Sequence, residues 1–215
     1  MHIHTSDQEK LSLGIGKYSC NWGTHICGLY ETEKERDEII FGYLEAGFLA
    51  NDRNLFIHSE KSPDEFYRKF GLFCPGCAAH VNNSELFDIK QAKDLYYPEG
   101  TFDPWHMNNV VNGYYTYTQE MGPTNVRAIA DMLWAKESIP GVEYLFAYES
   151  RLNYFVAGKT LVSICLYNVT KFTGDIIIKV LQTHPFTLNG GIITQNPYYI
   201  HPDKWLAEHA PQFLD

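Results

Sequence analysis

The stretch HICGLYETEKE, residues 25–35, decides the fold. Residues 25–30 are predicted to form a short buried strand. Thr32 and Glu35 predict a helix start, because this spacing allows a capping box in which their side chains bind free backbone amides. A strand, a turn and a capped helix are the layout of a phosphate-binding loop, which also needs glycines and a lysine. Here glutamates surround the single Lys34, so we expect the scaffold without phosphate binding.

Strands and helices keep alternating along the rest of the chain. Further strands are predicted at 54–58, 86–89, 126–131 and 161–167, and further helices at 63 onward, 103–122, 142–156 and 172–181. A hairpin is predicted over residues 186–194. Such alternation predicts an α/β fold of three layers, with a mainly parallel sheet covered by helices on both faces and a C-terminal hairpin. Residues 1–20 are expected to be a loose lead-in and 21–215 a single domain.

Composition and charge narrow the possible partners. The chain has 215 residues, 45% of them hydrophobic, and a formal net charge of −9. Because no basic cluster occurs, we expect no direct nucleic-acid partner and no anionic membrane partner. No stretch reaches the roughly 20 apolar residues that cross a bilayer, and no signal peptide is recognised at the N-terminus. We therefore expect a cytoplasmic protein.

The five cysteines include one pattern with metal-ligand spacing. An odd number of cysteines in a reducing compartment argues against a disulfide framework. Cys74, Cys77 and His80 have the spacing C-x2-C-x2-H, which zinc sites use, and zinc is the one cofactor that the sequence suggests. A fourth ligand would come from elsewhere, such as His58 or Asp88. Two inert thiols or a redox dithiol remain alternatives.

Glu149 is an unusual residue in a predicted helix. It lies within a stripe of apolar residues at helical spacing, Val142, Leu145, Leu152 and Val156. Burying an unpaired carboxylate costs several kcal/mol, on the order of the desolvation penalty for a charge without hydrogen bonds. Glu149 therefore either has a structural partner, a tyrosine hydroxyl or an arginine, or faces a polar cavity.

A ligand pocket is expected at one edge of the sheet, because ligands of parallel sheets bind beyond the carboxyl ends of the strands. Cys165 could instead be a small core residue, and His184 could simply cap helix carbonyls. Cys27 and His25 lie on one strand without a third orienting group, so they predict no nucleophile and base pair. The candidate ligand-binding residues are Tyr30, Glu60, Asp131, Trp134, Glu149, Cys165, Tyr167 and His184.

Several short motifs occur in an order that resembles a known family. They are Trp22-Gly23-Thr24-His25-Ile26-Cys27 with Tyr30, Tyr43-Leu44, Ala46-Gly47, Gly100-Thr101-Phe102-Asp103, Trp134, Tyr148-Glu149, Cys165 with Tyr167, His184-Pro185, and Asn196-Pro197 with Tyr199. Together they resemble the MEDS family, the sensory domain of the dichloromethane regulator DcmR and of methanogen and methylotroph sensor proteins. The Cys74/Cys77/His80 pattern is not part of this resemblance.

The resemblance implies a degenerate RecA/KaiC-like fold and the sensing of a small organic compound, such as a hydrocarbon derivative. MEDS domains are usually fused to an output region, so for this chain we expect signalling or transcriptional regulation through a separate protein partner, with a homo-oligomer possible. On this basis the chain is expected not to be an enzyme. Two alternatives stay open: a metal- or redox-responsive protein that uses Cys74, Cys77 and His80, and an enzyme for a methylated or sulfur-containing metabolite that uses Glu149 or His184 as acid or base.

Overall fold

A mainly parallel sheet forms the centre of the molecule. The computed structural model describes residues 10–60, 62–81, 86–122 and 125–214. Within these ranges, a small antiparallel hairpin is followed by seven strands in the order β5-β4-β6-β7-β3-β8-β9, all parallel except β9, which pairs antiparallel with β8. The strands are β1 Leu11–Ser12, β2 Ser19–Cys20, β3 Thr24–Tyr30, β4 Arg53–His58, β5 Phe87–Gln91, β6 Val126–Asp131, β7 Leu161–Asn168, β8 Phe186–Asn189 and β9 Ile192–Gln195.

Helices cover both faces of the sheet, which confirms the predicted three-layer α/β fold. They are α1 Glu33–Leu49, α2 Asp64–Phe73, α3 Pro75–Ala78, α4 Ala92–Tyr96, α5 Pro104–Glu120, α6 Leu145–Val156, α7 Gly174–Thr183 and α8 Pro202–His209. Helices α1 and α2 pack in one apolar core, and α4, α5, α6 and α8 pack in the other. Strand β7 supplies both cores by alternation: Val162, Ile164 and Leu166 point to the first, and Cys165 and Tyr167 to the second.

The predicted helix starts are present in the structure. Thr32 caps α1 in a full capping box, and Asp103 caps α5 with Pro104 at its first position. The predicted 142–156 helix begins with a short 3₁₀ turn before α6. Pro123, which was expected to stop α5, lies outside the described residues.

The N-terminal segment is better ordered than the sequence suggested. Residues 1–9 of the expected loose lead-in lie outside the described part, but Leu11, Leu13 and Ile15 are buried with the α1 side of the sheet. Gly14 has a φ of +69°, and a Cβ there would lie 2.0 Å from the Gly42 carbonyl oxygen. Glycine therefore allows the close backbone approach that packs this segment onto α1. The start of the domain at residue 21 stays a prediction.

Candidate functional site

In the turn between β3 and α1, side chains of the turn itself accept the hydrogen bonds of the backbone N–H groups that a phosphate would need. The Glu35 carboxylate accepts hydrogen bonds from the backbone N–H groups of Glu31, at 2.8 Å, and Thr32, at 3.4 Å. The Thr32 hydroxyl in turn accepts one from the Glu35 N–H at 3.2 Å. An anion would have to displace a carboxylate that already fills its place, which supports the predicted absence of phosphate binding.

Next to this turn lies an edge network, which we define as Tyr30, Arg36, Asp37, Glu60 and Asp131. Arg36 pairs with Asp37 at 2.8 Å, Glu60 at 2.9 Å and Asp131 at 3.5 Å, while the Tyr30 hydroxyl donates to Asp131 at 3.4 Å. Burial raises the pKa of Asp131 to about 6, although Arg36 opposes that shift. Each charged group in this network has an oppositely charged neighbour.

A second group of polar side chains lies beneath α6 against the middle of the sheet. We call it the His–Glu cluster: His25 on β3, Glu149 on α6, Cys165 on β7, and His184 between α7 and β8. All four are buried, with His25, Glu149 and His184 at 0% exposure. One donor atom from each residue lies within 4.8 Å of the donor atoms of the other three.

The contacts within the His–Glu cluster centre on one carboxylate oxygen. Oε2 of Glu149 lies 3.2 Å from His25 Nε2, 3.4 Å from His184 Nε2 and 3.5 Å from Cys165 Sγ. Sγ of Cys165 also lies 3.5 Å from His25 Nε2. The other carboxylate oxygen, Oε1, accepts a hydrogen bond of 2.8 Å from the Tyr167 hydroxyl. The tyrosine partner that was one of the two expectations for Glu149 is therefore present.

The neighbours of the two imidazoles fix where their protons lie. Nδ1 of His184 is 2.8 Å from the Val180 carbonyl oxygen, which can only accept, so Nδ1 carries the proton. The Asn153 amide nitrogen donates to three backbone carbonyls, which leaves its Oδ1 to accept from His25 Nδ1 at 3.3 Å. In the neutral rings, both Nε2 atoms therefore present lone pairs to Glu149.

Burial dominates the electrostatics of the His–Glu cluster. Desolvation, helped by neighbouring His184, lowers the pKa of His25 to about 4, so this ring is neutral at pH 7. Desolvation acts to raise the pKa of Glu149, whereas a hydrogen bond donated by a protonated His184 or His25 would act to lower it. Burial also raises the pKa of Cys165 well above its usual range. The Glu149 carboxyl therefore lies against a His25 ring that is neutral at pH 7.

An apolar cavity of about 80 Å³ lies on the same side of the sheet, between the strands and α5. Its few polar groups include the Ser163 hydroxyl and the side chains of Tyr96 and Tyr148. The Glu149 charge lies near enough to raise the pKa values of both tyrosines further, beyond the larger effect of burial. The cavity and the His–Glu cluster are therefore neighbours. The walls are formed by Leu55, Ile57, Lys90, Leu95, Tyr96, Met107, Val110, Val111, Tyr114, Ala128, Ala130, Tyr148, Leu152, Leu161 and Ser163.

The eight residues predicted to share one pocket fall into three groups. Tyr30, Glu60 and Asp131 belong to the edge network, and Glu149, Cys165, Tyr167 and His184 to the His–Glu cluster and its contacts. Trp134 is buried and stacks on Tyr96, with ring centroids 4.6 Å apart. The structure therefore does not bring these eight residues into one pocket, and their role in ligand binding stays a prediction.

The predicted zinc ligands Cys74 and Cys77 are joined in a disulfide. The turn at the start of α3 brings their Cα atoms to 5.2 Å, within the range that a disulfide spans. Two oxidised sulfurs offer no thiolate to a metal, so both the expected metal site and the alternative of two inert thiols need correction. The ring of His80 lies 5.3 Å from the ring of Phe48, and the expected fourth ligand Asp88 binds Arg53.

Sequence reasoning missed His25 as a member of the cluster. It compared His25 only with Cys27 on the same strand, whereas its partners Glu149 and Cys165 come from α6 and β7. The cavity walls from α4 and α5 were missed too. The period-two alternation of β7, which puts Ser163, Cys165 and Tyr167 on one face, was the available indication, since it marked a polar strip on a buried strand.

The order of the parallel strands, with a turn between β3 and α1 that has the layout of a phosphate-binding loop, is typical of the RecA/KaiC class of fold. A KaiC-like protein of the hyperthermophilic archaeon Pyrococcus horikoshii superposes with a TM-score of 0.56 at 9% identity, covering 84% of this chain and 80% of that protein. An ATPase of the type III secretion system of pathogenic bacteria superposes with a TM-score of 0.57 at 13% identity. The match covers 85% of this chain and 56% of the ATPase chain. At such low identities, the likeness concerns the fold alone.

Within this class of fold, a match between the sequence and a family model identifies the family. The chain belongs to the MEDS family, the methanogen/methylotroph DcmR sensory domain, whose family model matches residues 24–185. The search of curated proteins gives no match. In the described part of the chain, every helix is too short or too polar to span a membrane.

Proposed function

We propose that this chain is a sensory domain that binds a small, largely apolar organic molecule in the cavity beneath α5. The observation that carries the proposal is the cavity itself. Its volume of about 80 Å³ has room for a molecule of a few heavy atoms and is smaller than the roughly 150 Å³ apolar cavity that holds benzene. Membership of a family of sensory domains supports the same function.

The walls suggest the chemistry of the ligand. Aliphatic side chains from three strands and from α5 form most of the surface, which favours a hydrocarbon or halogenated hydrocarbon skeleton. The hydroxyls of Tyr148 and Ser163 can orient one small polar or polarisable group. By contrast, the Tyr114 hydroxyl already donates to Asp88 at 2.8 Å. A strongly charged ligand would lose its hydration without gaining a matching partner.

Helix α5 is the wall best suited to transmit binding. Pro104, Met107 and Thr118 are its buried residues, whereas Val110 and Val111, which line the cavity, are only partly buried, so a ligand would contact this helix directly. Its outer side exposes Tyr117, and Met121 follows at its end, which gives a protein partner an apolar surface. In this proposal, ligand binding orders α5 and thereby alters a surface read by a separate output protein.

A cavity-filling variant tests the proposal. Ala128 lies on β6 in the cavity wall, and Ala128→Leu should fill the space and weaken binding of dichloromethane at least about tenfold, equivalent to 1.4 kcal/mol. Ala135→Leu is the matched control, since Ala135 is also partly buried but lies outside this cavity. Binding is measured by ligand-observed NMR and by tyrosine and tryptophan fluorescence. Absence of binding to the wild-type protein across haloalkanes, alcohols and arenes, or equal affinity in Ala128→Leu, would contradict the proposal.

A further inference from the structure

We propose that His25, Glu149, Cys165 and His184 bind one divalent transition-metal ion of the zinc class. This site is separate from the sequence pattern at Cys74, Cys77 and His80. It is also independent of the ligand cavity, because the four donor atoms converge on one another beneath α6, behind the cavity wall.

The spacing of the donor atoms fits a tetrahedral ion. With zinc bonds of about 2.0–2.2 Å to nitrogen or oxygen and about 2.3 Å to sulfur, the edges of a tetrahedral site measure about 3.3–3.6 Å. Three edges at Glu149 Oε2 measure 3.2, 3.4 and 3.5 Å, and the edge from Cys165 Sγ to His25 Nε2 measures 3.5 Å. These four of the six edges are already close to the length that the ion requires, and the other two, from His184 to His25 and to Cys165, lie within 4.8 Å.

The protons are arranged as a metal would require. Val180 and Asn153 accept the Nδ1 protons of His184 and His25, which leaves both Nε2 lone pairs directed inward. His184 Nε2 is fully buried and has no hydrogen-bond partner, since its contact with Glu149 lacks hydrogen-bond geometry. A buried nitrogen without a partner normally costs free energy. A metal ion would give this atom its missing bond.

Charge balance favours a dication over other occupants. Glu149 contributes one negative charge, and Cys165 contributes a second when a metal displaces its proton. The two cancel the charge of a divalent ion, so the buried site becomes neutral as a whole. The Tyr167 hydroxyl holds the second carboxylate oxygen at 2.8 Å and completes the outer shell. Mixed nitrogen, sulfur and oxygen ligands in a tetrahedron are the donor set that zinc accepts.

The site would be closed, with four protein ligands and no position for water. Closed four-ligand zinc sites are structural, whereas hydrolytic sites keep one position open. The ion would therefore fasten β3, α6, β7 and the end of α7 to one another rather than catalyse a reaction.

Metal analysis of the full chain, purified without chelator and reloaded with Zn²⁺ or Co²⁺ during refolding, tests the inference. We expect one ion per chain, and X-ray absorption of the zinc protein should show one sulfur and three nitrogen or oxygen ligands. Co²⁺ should give visible bands of a four-coordinate ion and a thiolate charge-transfer band that Cys165→Ser abolishes. His184→Gln should weaken Co²⁺ binding by more than about 100-fold, beyond the usual effect of replacing a residue that only hydrogen-bonds to a metal ligand.

Two controls separate this site from the other cysteines. Cys20→Ser removes a buried free thiol on the other side of the sheet and should leave metal binding unchanged. The double variant Cys74→Ser/Cys77→Ser should do the same. Absorption data that show two sulfur ligands, or loss of metal in the double variant, would assign the ion to Cys74 and Cys77 and overturn the inference. A wild-type protein that folds but takes up neither Zn²⁺ nor Co²⁺ during refolding would also overturn the inference. This measurement uses the wild-type protein alone and does not depend on whether a variant folds.

Discussion

The edge network and the His–Glu cluster are both buried groups of polar side chains, but they are satisfied in different ways. In the edge network, Arg36 lies among Asp37, Glu60 and Asp131, so charge meets charge. In the His–Glu cluster, the Glu149 carboxylate meets a phenol, a thiol and two imidazoles. The edge network lies next to the turn that has the layout of a phosphate-binding loop, and its charged groups already have partners. The His–Glu cluster instead surrounds its carboxylate with groups that carry no permanent charge.

The comparison shows that charge alone is a poor guide to a binding site. Glu60 and Asp131 were expected to contact a ligand because they lie at strand ends. In the structure, both form ion pairs with Arg36. His184 is less conspicuous, but one of its nitrogens is buried without a hydrogen bond. A polar atom that the fold leaves unsatisfied at a cost in free energy is the better sign of function.

The largest effect is expected from the central cation of the edge network. Arg36→Met should lower the free energy of unfolding by about 3–5 kcal/mol, because it leaves buried carboxylates without their partner. Lys34→Met on the same helix is the control. Its ammonium is exposed and pairs only with Glu38, so the change should stay below about 0.5 kcal/mol. Urea unfolding measures both. A loss of less than about 1 kcal/mol in Arg36→Met would show that this network does not stabilise the fold.

A smaller effect is expected from the pH dependence of Asp131. Its pKa is raised from 3.8 to about 6 in the fold, so the protonated form favours folding. The stability it contributes is present below about pH 4 and is lost as the pH rises through about 6, on the order of 2–3 kcal/mol. Asp131→Asn cannot titrate, so its stability relative to wild type should increase over that interval. A flat difference between wild type and Asp131→Asn would mean that Arg36 keeps Asp131 ionised throughout.

The smallest effect is expected for Glu149→Gln in metal-free protein. Glutamine keeps the acceptor for Tyr167, and its amide can donate to the imidazole lone pairs, so stability should be unchanged or higher by about 1 kcal/mol. Asp52→Asn is the matched control, because Asp52 is a buried carboxylate with a permanent cation, Arg127, at 2.7 Å. That variant should lose about 3–5 kcal/mol. Equal losses in the two variants, measured with chelator present, would reveal an imidazolium partner for Glu149.

The sequence predicted the elements better than the site. Capping residues and hydrophobic periodicity are local, so Thr32, Asp103 and the strand Val126–Asp131 could be placed correctly. The stripe around Glu149 also showed correctly that a carboxylate would be buried and needed partners. The partners could not be chosen, because His25 and His184 meet Glu149 only through the strand order of the folded sheet. The strands Leu11–Ser12 and Ser19–Cys20 were not predicted, since each is only two residues long.

The strand order also has a consequence for how the chain folds. Strand β3 is the first strand of the large sheet along the chain, yet it lies between β7 and β8. His25 and Cys165 are 140 positions apart. During synthesis β3 must therefore wait for most of the domain before it can pair, and long-range pairing of this kind slows folding and leaves a strand edge open to aggregation. The cluster can assemble only after the centre of the sheet has closed, which makes it one of the last parts of the molecule to form.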